Sequence, residues 1–136
     1  MKKLLIPSIF FVLLISFSFA QKPYKVVFYN LENFFDTIND PEVLDDEFTP
    51  DGPKKWNTAK YNKKLNNTER VLFDIAAIDK NYPIVIGVSE VETRGVLEDI
   101  VATPKLAPAN YRIAHFDSPE ARGVDAVSYT HLTLPT

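Results

Sequence analysis

Ile84-Val85-Ile86-Gly87-Val88-Ser89-Glu90-Val91-Glu92 is an apolar, largely β-branched run that ends in carboxylates. β-Branched residues suit a pleated strand and side chains alternate along it, so Glu90 is expected on the face of Ile84, Ile86 and Val88. That position aims a carboxylate into a cleft rather than out to water. A second stretch of the same design lies upstream: Lys25-Val26-Val27-Phe28-Tyr29 is β-prone, and Asn30-Leu31-Glu32-Asn33 follows it. Asn30 brings donors and an acceptor to a strand end. Oxygen-bearing groups at two strand ends suit a hard divalent cation such as Mg²⁺, which takes one or two carboxylates and fills its other positions with water and substrate phosphate.

Between the two strands, Asp36 to Gly52 carries Asp36, Asp40, Glu42, Asp45, Asp46, Glu47 and Asp51, is broken by Pro41, Pro50 and Gly52, and has no basic residue. It reads as an extended, solvated surface loop; the alternating Asp/Asn spacing and central Gly of a calcium-binding loop are missing. Tyr61, Leu65, Thr68, Leu72 and Ile75 then recur at helical spacing, with Asn57 or Thr58 as N-cap. Lys60, Lys63, Lys64 and Arg70 fall mainly on the other side and read as a solvated face, with Trp56 a packing anchor just before the helix. Asn81-Tyr82-Pro83 ends this helix. A second helix is expected over Thr93 to Val101, stopped by Thr103-Pro104, then a third strand over Tyr111 to Phe116 and a fourth opening at Arg122-Gly123-Val124-Asp125. The alternation of strands and helices is an α/β pattern.

An Asn closing the first strand, a Glu in a Ser-Glu-Val-Glu context, and the later His115-Phe116-Asp117-Ser118-Pro119 and Arg122-Gly123-Val124-Asp125 runs follow one another in a familiar order. From Tyr24 to Ala126 the chain resembles the endonuclease/exonuclease/phosphatase superfamily, its look-alikes being secreted bacterial members with an Asn-x-Glu-Asn-x-Phe-Asp opening. The resemblance implies a four-layer α/β sandwich, two mixed β-sheets flanked by helices, of which only the N-terminal part is expected here. It implies a Mg²⁺- or Mn²⁺-dependent phosphoesterase that hydrolyses phosphodiester bonds by metal-activated water attack. Glu90 then matches the principal metal ligand, Asn30 the group that holds the metal or the scissile phosphate, and Glu32 a second acidic residue at the metal. The family's working His lies near the C-terminal end of its domain, beyond this sequence, so His115 is expected to be structural or at the substrate rim. Arg122 matches a position where an Arg approaches phosphate or stabilises the fold. A phosphodiester substrate is implied, nucleic acid among the candidates, acted on by a protein that is a monomer when full length. The alternatives are a secreted lipid or sugar phosphodiesterase and a non-catalytic binding protein on the same fold.

The two ends read differently from the middle. Lys2 and Lys3, an apolar stretch from Leu4 to Phe17, and Ser18-Phe19-Ala20 have the layout of a cleavable secretory signal over residues 1–20. Its apolar core is shorter than the roughly 20 residues of a spanning helix, so no stable membrane anchor is expected. Without that segment 13 basic residues stand against 18 acidic ones, a formal charge of −5, and no strongly basic nucleic-acid grip is visible. The chain has no cysteine, which leaves the redox compartment open. Residues 21–126 read as the N-terminal part of the domain. Val127-Ser128-Tyr129-Thr130-His131-Leu132-Thr133-Leu134-Pro135-Thr136 looks like a translated sequencing adapter, so 127–136 is expected to be a non-native tail and the chain by itself inactive.

Export followed by cleavage between Ala20 and Gln21 gives a secreted or periplasmic protein whose first residue is Gln21. Intact mass of protein recovered from the periplasm or medium checks this, and a species that retains Leu4 to Phe17 rejects it.

Overall fold

The computed structural model of the chain describes residues 23–116 and 125–130. Strand β1 (Val26–Phe34) leads through a long loop to helix α1 (Thr58–Ala77), strand β2 (Val85–Val91), helix α2 (Arg94–Ala102), strand β3 (Arg112–Ala114) and strand β4 (Asp125–Thr130). The strands form one mixed sheet in the order β1-β2-β4-β3, with β1 and β2 parallel and both β2/β4 and β3/β4 antiparallel. A parallel pair needs a crossover, and α1 supplies it. The fold is therefore α/β, as expected. β1 is longer than the Lys25 to Tyr29 run predicts and β3 shorter than Tyr111 to Phe116. The expected opening of the fourth strand at Arg122 lies outside the described residues.

Local chemistry sets each helix. The side chain of Asn57 accepts the amide hydrogen of Lys60 at the start of α1, and that of Thr93 accepts from Val96 at the start of α2. The last turn of α1 has no basic residue of its own. Lys25, from the approach to β1, supplies the charge: its ammonium donates to the carbonyls of Ile75 and Asn81 and pairs with Asp79. That bond holds the exposed Asp79 carboxyl below the usual carboxylate range.

The core lies between the sheet and the helices. Val27, Tyr29 and Leu31 of β1 and Ile86 and Val88 of β2 meet Tyr61, Leu65 and Leu72 of α1 and Val96, Leu97 and Ile100 of α2. The Tyr61 hydroxyl ties the helices together by donating to Asp99 Oδ2 at 2.6 Å, and burial with that contact pushes its pKa upward. On the opposite face β1 is bare: Val26 and Phe28 are 66% and 71% exposed. The Phe28 ring lies across Gly87, where a Cβ would stand 2.7 Å from Phe28 Cδ2. No helix among the described residues is long and apolar enough to cross a membrane.

The acidic segment after β1 is more organised than a solvated loop. Phe35 stacks on Phe48 at 4.0 Å between ring centroids, Phe48 meets Trp56 edge-on, and Trp56 Nε1 donates to the Phe35 carbonyl at 3.0 Å. Asp45 is 1% exposed and accepts the Asp40 amide hydrogen at 2.9 Å. Glu92, just past β2, is also buried and accepts the Asp36 amide hydrogen at 2.6 Å. Burial, then the neighbouring charges of Asp36 and Asp45 and a contact with the Asp45 carboxyl, push Glu92 up to about 8, against the opposing pull of the Asp36 amide. Asp45 Oδ1 is buried beside Glu92 with no hydrogen-bond partner among the described residues. The Glu92 bond to the Asp36 amide joins the loop to the end of the sheet.

The sign of the resulting pH dependence follows from proton counting. The unfolded chain releases the Glu92 proton near the ordinary value of 4.5, while the folded chain holds it to about 8, so rising pH across that window favours unfolding. Stability measured by denaturant titration falls from pH 5 to 8, and Glu92→Gln flattens the slope and is the more stable protein above pH 8. An unchanged slope in the variant would assign the pH dependence to another group.

Candidate functional site

Both signature stretches break regular pairing at the same end of the sheet. In β1 the register with β2 passes from Asn30↔Ser89 to Phe34↔Val91, and Glu32 and Asn33 between them carry φ of 55° and 59°. In β2 the register with β4 passes from Ser89↔Ala126 to Val91↔Asp125, leaving Glu90, at φ 59°, as the extra residue of a bulge. Left-handed backbone at a residue other than glycine costs roughly 1–3 kcal/mol. Three such residues in one place require compensation from their surroundings.

The compensation is polar. Glu90 Oε1 accepts from Asn30 Nδ2 at 3.0 Å, and Glu90 Oε2 accepts from the Asn33 amide at 3.1 Å. The Glu32 amide donates to Asn30 Oδ1 at 2.8 Å. These contacts also settle which way the Asn30 amide points, since the Glu32 N–H needs an acceptor and the Glu90 carboxylate needs a donor. Lys64 reaches in from α1 and donates to the carbonyls of Glu32 at 2.7 Å and Asn33 at 3.3 Å. Its ammonium also lies 5.4 Å from the Phe34 ring centroid and 5.7 Å from that of Trp56. Burial lowers the Lys64 pKa, and the charges of Glu32 and Glu90 pull it back up.

The bulge corrects the expected orientation of Glu90. Strict alternation would place it on the face of Ile86 and Val88, but the left-handed residue resets the phase and Val91, 0% exposed, takes the core position. Glu90 is left half-buried at the strand end beside Asn30. Asn30 and Glu90 are therefore in direct contact. Glu32 is exposed and joins them through its backbone, its carboxylate within electrostatic reach of Lys64. His115 follows β3, which is separated from β2 by β4, so it stands about two strand spacings, ~10 Å, from the β2 strand. Asp117, Arg122 and Gly123 lie outside the described residues.

Among the described residues no three His, Asp or Glu side chains converge into a closed metal cage. The donors at the bulges are instead one fixed carboxylate, a second acidic residue beside it and an amide, the sparse set that a Mg²⁺-type ion completes with water and phosphate. Next to them a groove of about 370 Å³ runs between the end of β1 and α1, lined by Tyr29, Asn30, Glu32, Trp56, Lys60, Lys63, Lys64 and Asn67 among others. Sequence reasoning took Lys64 for part of a solvated face. The available signal was its place next to Leu65 at the border of the apolar stripe, where a long stem is buried and the ammonium must find carbonyl partners.

The family model described as Endonuclease/Exonuclease/phosphatase family matches residues 25–132. No curated protein and no solved structure matches the chain. The matched region takes in both bulges, the acidic loop, both helices and all four strands, and runs past the boundary expected at 126. On that match, over most of its length, the chain belongs to the endonuclease/exonuclease/phosphatase family.

Proposed function

We propose that the chain carries the metal-binding end of a divalent-metal-dependent phosphodiesterase, with Glu90 as the principal ligand of Mg²⁺ or Mn²⁺. One observation carries the reading: the Glu90 carboxylate is held at both oxygens by donors from the neighbouring strand, at a bulge beside Asn30. A carboxylate offers about four lone-pair sites, and each Glu90 oxygen uses one in these bonds, leaving the others for a cation. Glu32 is the second acidic residue of the set. The chemistry supplied by the ion when bound is neutralisation of phosphate charge and a lowered pKa for the attacking water.

Asn30 works on the phosphate in this reading. Its Oδ1 accepts from Glu32 and one hydrogen of its Nδ2 goes to Glu90, so the remaining N–H is positioned to donate to a phosphoryl oxygen as charge develops there. Lys64 does not contact substrate; it holds the Glu32 and Asn33 carbonyls and so keeps the first bulge in shape. The four-layer sandwich belongs to the same proposal, supported by the bare apolar face of Val26 and Phe28 that a second sheet would cover. So does export to the periplasm or medium.

The test is hydrolysis of bis(p-nitrophenyl) phosphate by the full-length protein as Mg²⁺ is titrated. Glu90→Gln keeps the side-chain shape and the Asn33 contact, removes the charge and turns a donor toward Asn30 Nδ2, and is expected to lower turnover by at least about a hundredfold. Turnover near that of the unaltered protein at the same Mg²⁺ would overturn the assignment.

A further inference from the structure

Asp45 precedes a single 3₁₀ turn, Asp46–Phe48, at the position where an Asp side chain ordinarily accepts an amide hydrogen of its own turn. It makes no such bond. The side chain is buried instead, with Oδ2 accepting the Asp40 amide hydrogen at 2.9 Å and Oδ1 left with no hydrogen-bond partner among the described residues. Its carboxyl group meets that of Glu92, which is also buried and accepts the Asp36 amide hydrogen through Oε2. The Asp36 side chain stands within electrostatic reach of Glu92, its oxygens accepting from the Ile38 amide and the Thr93 hydroxyl. Among the described residues no Lys or Arg pairs with any of the three.

We propose that Asp45 and Glu92 hold a Ca²⁺-type cation that clamps the acidic loop to the end of β2, at a site separate from Glu90 and independent of how Glu90 is read. Buried carboxylates in contact repel each other, and their burial is costly until an opposite charge meets them. The backbone amides that reach them are neutral donors and leave that charge uncompensated. Asp45 Oδ1 is already out of water and bonded to nothing, so a cation gains an oxygen ligand there without stripping its hydration first. Ca²⁺ suits the position better than Mg²⁺. It takes irregular sets of about six to eight oxygens, backbone carbonyls among them, whereas Mg²⁺ keeps several of its waters and a carboxylate this buried has little room for them. No third acidic side chain closes a cage among the described residues, so the remaining positions fall to loop carbonyls and water. The spacing of a calcium-binding loop is missing from the sequence because the two ligands come from different elements, one from the loop and one from the end of β2.

The experiment titrates Ca²⁺ calorimetrically into the full-length protein carrying Glu90→Gln, so that an ion bound at the candidate site does not enter the count. It is run at pH 8.5, because a cation binds only deprotonated carboxylates. Adding Asp45→Asn, which keeps the side-chain volume and the Asp40 contact, is expected to lower the number of Ca²⁺ ions bound by one. It is also expected to abolish a rise in Tm of at least about 5 °C that saturating Ca²⁺ gives the parent. Far-UV circular dichroism establishes that the variant is folded, and Glu92→Gln, which keeps an acceptor for the Asp36 amide, is the second variant with the same expected losses. Asp46→Asn, the same charge change at the exposed neighbour, is expected to alter neither quantity. An undiminished ion count and Tm rise in Asp45→Asn and Glu92→Gln, an equal loss in Asp46→Asn, or an equal Tm rise with Mg²⁺ would each overturn the site.

Discussion

The Glu90 carboxylate is the constraint on which this end of the molecule depends. One group takes donors from Asn30 and Asn33 across the β1/β2 boundary, and so holds two irregular strands in one arrangement. Without it, three left-handed residues, Glu32, Asn33 and Glu90, would have little reason to stay left-handed. The consequence extends into the core. Side chains alternate along a strand, so each irregularity also decides which later residue points inward. Phe34 and Val91, the first paired residues after the bulges, are both 0% exposed. The geometry that raises a carboxylate to the sheet end is the geometry that seats these two apolar side chains.

Trp56 is where the loop, the strand end and the crossover helix meet. Its indole N–H satisfies the Phe35 carbonyl, its ring edge meets Phe48, and its face lies near the Lys64 ammonium. Lys64 in turn satisfies the carbonyls of Glu32 and Asn33. The acidic loop is therefore held against the sheet by aromatic packing and buried hydrogen bonds, in spite of its own charge. Lys60, Lys63 and Lys64 stand on the α1 side, while the loop side carries Asp46 and Glu47, the latter paired with Lys54.

Features that depend on neighbours in sequence were legible from sequence. The β-prone runs at Val26 and Val85, the Asn57 cap and the stripe of Tyr61, Leu65 and Leu72 all declare themselves through local pattern, and the structure has them. The resemblance singled out Asn30 and Glu90 one by one, and the structure adds that their side chains are hydrogen-bonded. The orientation of Glu90 was illegible because alternation presumes a regular strand, and nothing in Val88-Ser89-Glu90-Val91 signals a left-handed residue. The order in the acidic loop was hidden for a different reason. Phe35, Phe48 and Trp56 are scattered through it, and only the folded chain shows that they stack. Burial of Asp45 and Glu92 likewise requires elements far apart in sequence to close over them.

Both bulges lie at the carboxyl ends of parallel strands, the edge at which α/β sheets bind their ligands. The chain leaves that edge twice, once from β1 into the acidic loop and once from β2 into α2. A connection can change length or charge there without altering the strand pairing below it. The bulges, by contrast, are tied to the register and to the core through Phe34 and Val91. Fixed geometry therefore belongs to the strand ends, and variation to the loop and the first turns of α1, where Lys60 and Lys63 stand on an exposed face. The fold thereby separates the part that must hold its shape from the part that can vary.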